Sequence, residues 1–181
     1  MIPEFTPFRK IPRLSRECIV TEKIDGTNAS ILVTPEGEVQ AGSRTRWITP
    51  EDDNFGFAKW VKEHEDDLRI GLGIGHHFGE WWGQKIQRGY ELTQKRFSLF
   101  NTTQWNNTTI RPACCDVVPV LYQGLFTTHR VFGTLDALAA IGSLAAPGFM
   151  RPEGIVIYHV AAGVYFKKTI EGDEASKGRQ S

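Results

Sequence analysis

A lysine followed at the second position by Asp-Gly is the segment of this chain best suited to chemistry. Lys23-Ile24-Asp25-Gly26 closes a run of strand-forming residues, Cys18 to Lys23. Asp-Gly turns a strand sharply, so the Lys23 amine projects from a rigid edge into whatever cleft the sheets form. Such an amine is a nucleophile once it has lost its proton. Free lysine titrates near ~10.4, so cations close by or partial burial would have to favour the neutral form. The ordinary alternative is an Asp-Gly hairpin turn with a surface lysine beside it, and on the segment 21–28 alone that alternative is favoured. Other reactive types are poorer prospects. Cys18, Cys114 and Cys115 show no CxxC spacing and read as buried thiols. His76, His77, His129 and His159 lack metal-ligand spacing and read as structural.

The elements that would hold these groups are mostly strands. Ala29 to Thr34 and Val39 to Gly42 form a hairpin around Pro35-Glu36-Gly37-Glu38. Thr49-Pro50-Glu51 has the order of a helix start, and Phe57, Trp60, Val61, His64 and Leu68 share one face until 71–75, GLGIG, ends it. Further strands are expected at His77–Trp82, Phe97–Phe100, Asp116–Tyr122, Ile155–Val160 and Val164–Thr169, the last two joined at Ala161-Ala162-Gly163. A short helix is expected from Thr134 through Leu138 and Ile141 to Gly142. Trp81, Trp82 and Tyr90 read as core. The class is α+β, with antiparallel sheets and flanking helices, and the 181 residues suit one domain spanning 1–181.

Glu22-Lys23-Ile24-Asp25-Gly26-Thr27-Asn28 resembles the nucleotidyl-lysine motif of the covalent nucleotidyltransferases, the superfamily of polynucleotide ligases and capping enzymes. Its Thr-Asn ending is similar to the nick-sealing RNA ligases. The family's later motifs follow in order: 41–46, AGSRTR; 77–83, HFGEWWG; 96–101, RFSLFN; 151–157, RPEGIVI; and 164–169, VYFKKT. The matches run from residue 21 to residue 169. The resemblance implies a nucleotidyltransferase (ATP-grasp-like) domain, here without an appended OB-fold.

It also implies a reaction. Lysine takes AMP from ATP, AMP passes to a 5′-phosphate, and a 3′-hydroxyl then displaces it. Lys23 is the implied nucleophile. Asp25 helps hold the catalytic geometry, and Arg44 contacts phosphate or an RNA end, where a guanidinium fork suits the ligand. Glu153 stands near a magnesium or manganese ion, hard cations that prefer carboxylates and water. Glu80 binds a ribose hydroxyl and Phe100 stacks on adenine. Glu22 is a candidate reader of the adenine amino group, and Asn28 occupies the motif's asparagine. Lys167 and Lys168 are the candidate cations for the α-phosphate and for Lys23. One departure stands out: the family pattern is Lys-x-Lys, whereas here it is Lys167-Lys168-Thr169. In a regular strand Lys167 shares a face with Thr169 and Lys168 points away, unless a bulge turns it inward.

Net charge is zero, from 21 basic and 21 acidic residues, so a basic face would have to come from local clusters. The implied partner is nucleic acid, chiefly RNA with 5′-phosphate and 3′-hydroxyl ends, with a protein supplying extra nucleic-acid contacts as a possible second partner. DNA or mixed-duplex nick sealing, capping-type guanylyl transfer, and a non-catalytic module binding nucleic-acid ends are the competing readings. No run of eighteen apolar residues predicts a membrane helix, and the proline-rich N-terminus lacks the order of a signal peptide. A cytoplasmic location is the expectation, and with no secretory route the Asn-x-Ser/Thr matches carry little weight.

Overall fold

A computed structural model describes residues 3–173; most of the polar tail that begins at Glu171, from 174 to 181, lies outside the described residues. In chain order the elements are β1 (Glu17–Lys23), β2 (Thr27–Val33), β3 (Val39–Ser43), β4 (Trp47–Ile48), α1 (Phe57–Glu63), α2 (Glu65–Leu72), β5 (Gly75–Gly83), β6 (Lys95–Leu99), α3 (Thr102–Trp105), β7 (Asp116–Val117), β8 (Val120–Leu125), α4 (Thr128–Ile141), β9 (Gly154–His159) and β10 (Val164–Thr169). They form two open sheets, one ordered β10-β9-β1-β8 and the other β4-β3-β2-β5-β6-β7. The α+β class expected from the sequence is what is seen. Every pairing is antiparallel except β6 with β7, which is parallel.

Each sheet buries one face under helices, as strand alternation requires. In the six-stranded sheet Ala29, Ile31, Ala41, Trp81, Phe97 and Leu99 point down onto Phe57, Ala58, Val61 and Leu68 of α1 and α2. In the four-stranded sheet Cys18, Val20, Ile155 and Ile157 meet Val131, Leu135 and Leu138, which recur along one side of α4. A third cluster joins the layers: Ile24, Trp82, Tyr90, Val118, Ala146 and Phe149. Trp81, Trp82 and Tyr90 are core, as the sequence indicated.

Three expectations are corrected. The first helix does not start at Thr49-Pro50, which form a tight turn closed by the bridge from Thr49 to Asp52. Phe55 and Gly56 adopt left-handed backbone, with φ 53° and 81°. The cap position is Gly56, and the first-turn amides of Ala58 (2.8 Å) and Lys59 (3.0 Å) donate instead to the Asp53 carboxylate. The helix then breaks at His64. α4 begins a turn and a half earlier than Thr134, at a cap made by Thr127. Thr134 mimics a cap in sequence, but its hydroxyl donates back to the Arg130 carbonyl at 2.8 Å. Finally, Asp116–Tyr122 is not one strand. Pro119 supplies no amide hydrogen to a ladder, and the chain passes there from the six-stranded sheet to the four-stranded one.

Candidate active site

The chain crosses between the sheets in the other direction at Ile24-Asp25-Gly26, and the groups singled out in the sequence gather around that turn. Lys23 ends β1 on the face opposite α4. Across the ladder its partner is Gly154, so the preceding residue, Glu153, lies beside it: Nζ and Oε2 are 2.5 Å apart, with side chains 18% and 5% exposed. A desolvated pair of this kind holds both groups in one geometry.

The turn itself is fixed from several directions. The Asp25 amide donates to the Tyr90 hydroxyl at 2.8 Å. The Asp25 carboxylate accepts from Arg88 Nε at 3.1 Å, and Arg88 Nη1 donates to the Arg151 carbonyl at 3.1 Å. Arg88 therefore ties the position two residues after Lys23 to the position two before Glu153. The Gly26 amide donates to Glu80 Oε1 at 3.1 Å. A Cβ on Gly26 would meet the Trp81 carbonyl at 2.5 Å and Trp82 Cβ at 2.7 Å, so a larger residue would push the turn off β5. The segment that carries Arg88 and Tyr90 holds Lys85, Gln87, Tyr90 and Glu91 at φ between 47° and 59°. Left-handed backbone at non-glycine residues costs energy and persists where the surroundings enforce it.

Glu80 and Asn28 are cross-strand partners on β5 and β2, and Ser98 of β6 is next in the row. Burial pushes the Glu80 carboxyl up to about 7, against the pull of Lys23 and the Gly26 amide; Glu153 and Asp25 add to the rise. Burial also pushes the Tyr90 hydroxyl well above its usual range, so it stays protonated. Phe100 follows β6 and packs against the third cluster beside Ile24.

Not all the singled-out residues join this group. Strand alternation turns Glu22 to the α4 side of β1. There it is buried and accepts from Ser143 Oγ (2.5 Å), the Leu144 amide (2.8 Å) and the Ala145 amide (3.0 Å). Its carboxylate anchors the loop after α4. For Lys168 the sequence left an inward bulge open. The β9–β10 register runs without a bulge from Val164 to Thr169, so Lys168 stays on the α4 side, its Nζ 2.7 Å from Asp173 Oδ2 and 5.3 Å from the centre of the Phe132 ring. Lys167 shares the face of Lys23 and is exposed, two strands away. The nearest charged partner of Lys23 is thus a carboxylate and not a cation. Arg44 is exposed one residue past the Ala29–Ser43 pair, with no ion-pair partner among the described residues, whereas Arg46 grips Asp52 through two bonds of 2.5 and 2.9 Å.

Sequence reasoning missed the clamp made by Arg88 and used Tyr90 only as core. Nothing in their spacing shows that a strained loop returns them to the lysine turn.

Among the described residues no cluster of three or more His, Cys, Asp or Glu could hold a metal by itself. Glu153, Asp25 and Glu80 present oxygen only. That donor set suits a hard divalent ion arriving with phosphate and water ligands of its own, the usual habit of magnesium.

The family model for RNA ligases matches residues 16–170. The chain belongs to the RNA ligase family. Among solved structures it is similar to a lysine-to-methionine variant of the Naegleria gruberi RNA ligase with AMP and manganese (18% identity, TM-score 0.62, covering 86% of this chain and 50% of that one). It is also similar to the same organism's RNA ligase with pyrophosphate (19% identity, TM-score 0.58, covering 93% and 57%). The chain spans about half the length of the solved chains it matches. At these identities the likeness establishes the fold. No helix among the described residues is long and apolar enough to cross a membrane.

Proposed function

We propose that residues 1–181 act as the adenylyltransferase unit of an ATP-dependent polynucleotide ligase, joining a 5′-phosphate to a 3′-hydroxyl, with RNA as the substrate. The observation that carries this reading is the Lys23–Glu153 pair at 2.5 Å, set at the sheet junction with Glu80 bound to the same turn. The family membership and the AMP-, ATP- and pyrophosphate-bound states of the Naegleria gruberi enzyme support it.

In this reading Lys23 Nζ attacks the α-phosphorus of ATP, a nitrogen–phosphorus bond forms, and pyrophosphate leaves. The amine is stored as an ion pair, so it must first give up its proton, and Glu153 Oε2 is the acceptor in contact with it. Asp25, held by Arg88 and Tyr90, fixes the turn so that the amine approaches in line. Glu80 takes a ribose hydroxyl; near neutral pH its carboxyl can donate as well as accept. Asn28 stands beside it, and Phe100 supplies a ring for adenine. Lys167 and Arg44, exposed on β10 and after β3, are free to meet phosphate oxygens. A magnesium or manganese ion, carried by the phosphates and Glu153, would neutralise charge on the transferring group. A 5′-phosphate oxygen then displaces lysine from AMP, and a 3′-hydroxyl displaces AMP from that activated end.

The test is incubation with ATP or GTP labelled at the α-phosphate, with magnesium or manganese, followed by denaturation. Label from ATP is expected on the protein, and Lys23→Ala should abolish it. Label from GTP alone would indicate capping chemistry, and a Lys23→Ala protein that labels normally would overturn the assignment. Sealing assays on nicked RNA, nicked DNA and single strands then decide the substrate. A non-catalytic end-binding module would take no label from either nucleotide.

A further inference from the structure

The open face of the six-stranded sheet carries three aromatic rings that the proposed chemistry does not use. Trp47 (44% exposed) and Phe78 (49% exposed) flank His76, also exposed. Their ring centres are 5.3 Å apart from Trp47 to His76 and 4.1 Å from His76 to Phe78, with planes tilted by 36° and 40°. The register makes this a continuous row: Trp47 pairs with Gly42, Gly42 with Ser30, and Ser30 with Phe78. Gly42 allows it, because a Cβ there would meet Ser30 Oγ at 2.5 Å and Trp47 Cε3 and Cζ3 at 3.1 Å. The missing side chain lets the indole lie down on the sheet.

These rings are not core. The core of this sheet is its opposite face, under α1 and α2. They lie on the face of Asn28 and Glu80, with Phe78 two residues from Glu80, a step of about 7 Å. Arg44, exposed and without an ion-pair partner among the described residues, stands three residues before Trp47 in the turn between β3 and β4. A row of exposed rings beside a guanidinium, on the open face of an antiparallel sheet, is a surface on which unpaired bases stack. The chemistry also fits the charge. With 21 basic and 21 acidic residues the chain has no bulk attraction for phosphates, so stacking must carry a larger share of its grip.

We infer that Trp47, His76 and Phe78 form a stacking platform for unpaired bases of the substrate strand, directing its end toward Lys23. The inference rests on the polynucleotide-ligase reading and deepens it.

The test is binding of a fluorescein-labelled 12-nucleotide RNA by anisotropy, comparing wild type with Trp47→Leu, Phe78→Leu and the double variant. Leucine keeps apolar area but removes the π face. Thermal midpoints and ATP labelling of each variant are recorded alongside, and both should match wild type. Expected is about a tenfold loss of affinity for each ring removed, with a larger loss for the pair. RNA affinity in the double variant equal to wild type, or no RNA binding by wild type, would overturn the platform. So would sedimentation showing a wild-type dimer that the double variant loses while RNA affinity holds, since the occupant would then be a second copy. If wild type takes no ATP label while the leucine variants still lose RNA, the ligase reading fails and the platform stands.

Discussion

Lys23 and Lys167 stand on the same face of the same sheet in opposite circumstances. Lys23 ends an inner strand, bound to a buried carboxylate, and its turn is held by Tyr90, Arg88 and Glu80. Lys167 lies on the outermost strand, exposed. The difference teaches how rigidity is distributed. In the proposed reaction Lys23 is the nucleophile and must meet one atom along one line, which over-determined surroundings provide. A cation meeting phosphate oxygens acts over a longer range and gains from being able to reach.

The comparison is broken most directly by Glu153→Gln, which removes the charge beside Lys23 and its proton acceptor; ATP labelling should fall about 10²- to 10³-fold. Arg88→Ala leaves every reacting group in place and loosens only the turn. A fall of about 10²-fold in the labelling rate is expected, with Arg88→Lys recovering little, because one amine cannot reach both Asp25 and the Arg151 carbonyl. Equal labelling in Arg88→Ala and wild type would show that the turn needs no clamp. On the edge strand the two lysines should separate. Lys167→Ala should slow labelling about tenfold, while Lys168→Ala changes it less than about twofold, its pairing with Asp173 and Phe132 lying on the α4 side of the sheet. The reverse order would place Lys168 at the phosphates and contradict the register.

A separate effect is on stability. Glu80 titrates at about 7 in the fold against 4.5 for a free carboxyl, chiefly through burial. Between those values the folded protein holds more protons than the unfolded chain, so the contribution is full below about 4.5 and lost as pH rises through about 7. Glu80→Gln lacks this term. Its stability relative to wild type should improve between pH 4.5 and pH 8 by at most about 3 kcal/mol, measured by urea unfolding; a constant difference would mean that Glu80 is not shifted.

Much of the fold was legible because the strands alternate cleanly, and because Pro35 to Glu38 and Ala161 to Gly163 mark their turns in composition. The errors arose where a local signal had two uses. Thr49-Pro50 and Thr134 carry capping chemistry that the chain employs in a turn and inside a helix. Asp116–Tyr122 looks like one strand because a change of sheet leaves no mark but Pro119. In the site, Glu22 adjoins Lys23, yet alternation sends its side chain to the opposite side of the sheet. The Lys167-Lys168 question was answerable in principle, since an unbroken strand permits only one of them on the Lys23 face. Arg88 was not readable at all: it lies 63 residues from Asp25 and reaches it through backbone that only the surrounding structure enforces.

The two crossings between sheets also bear on the order of assembly. Residues 27–117 make an uninterrupted excursion that builds the six-stranded sheet, with β2–β3, β3–β4 and β5–β6 paired between successive strands, while β1 waits for β8 and β9. Lys23 finds Glu153 only across 130 residues. Closing that long loop costs more chain entropy than zipping a local hairpin, and a chain stalled before residue 153 carries Lys23 without the carboxylate that holds it.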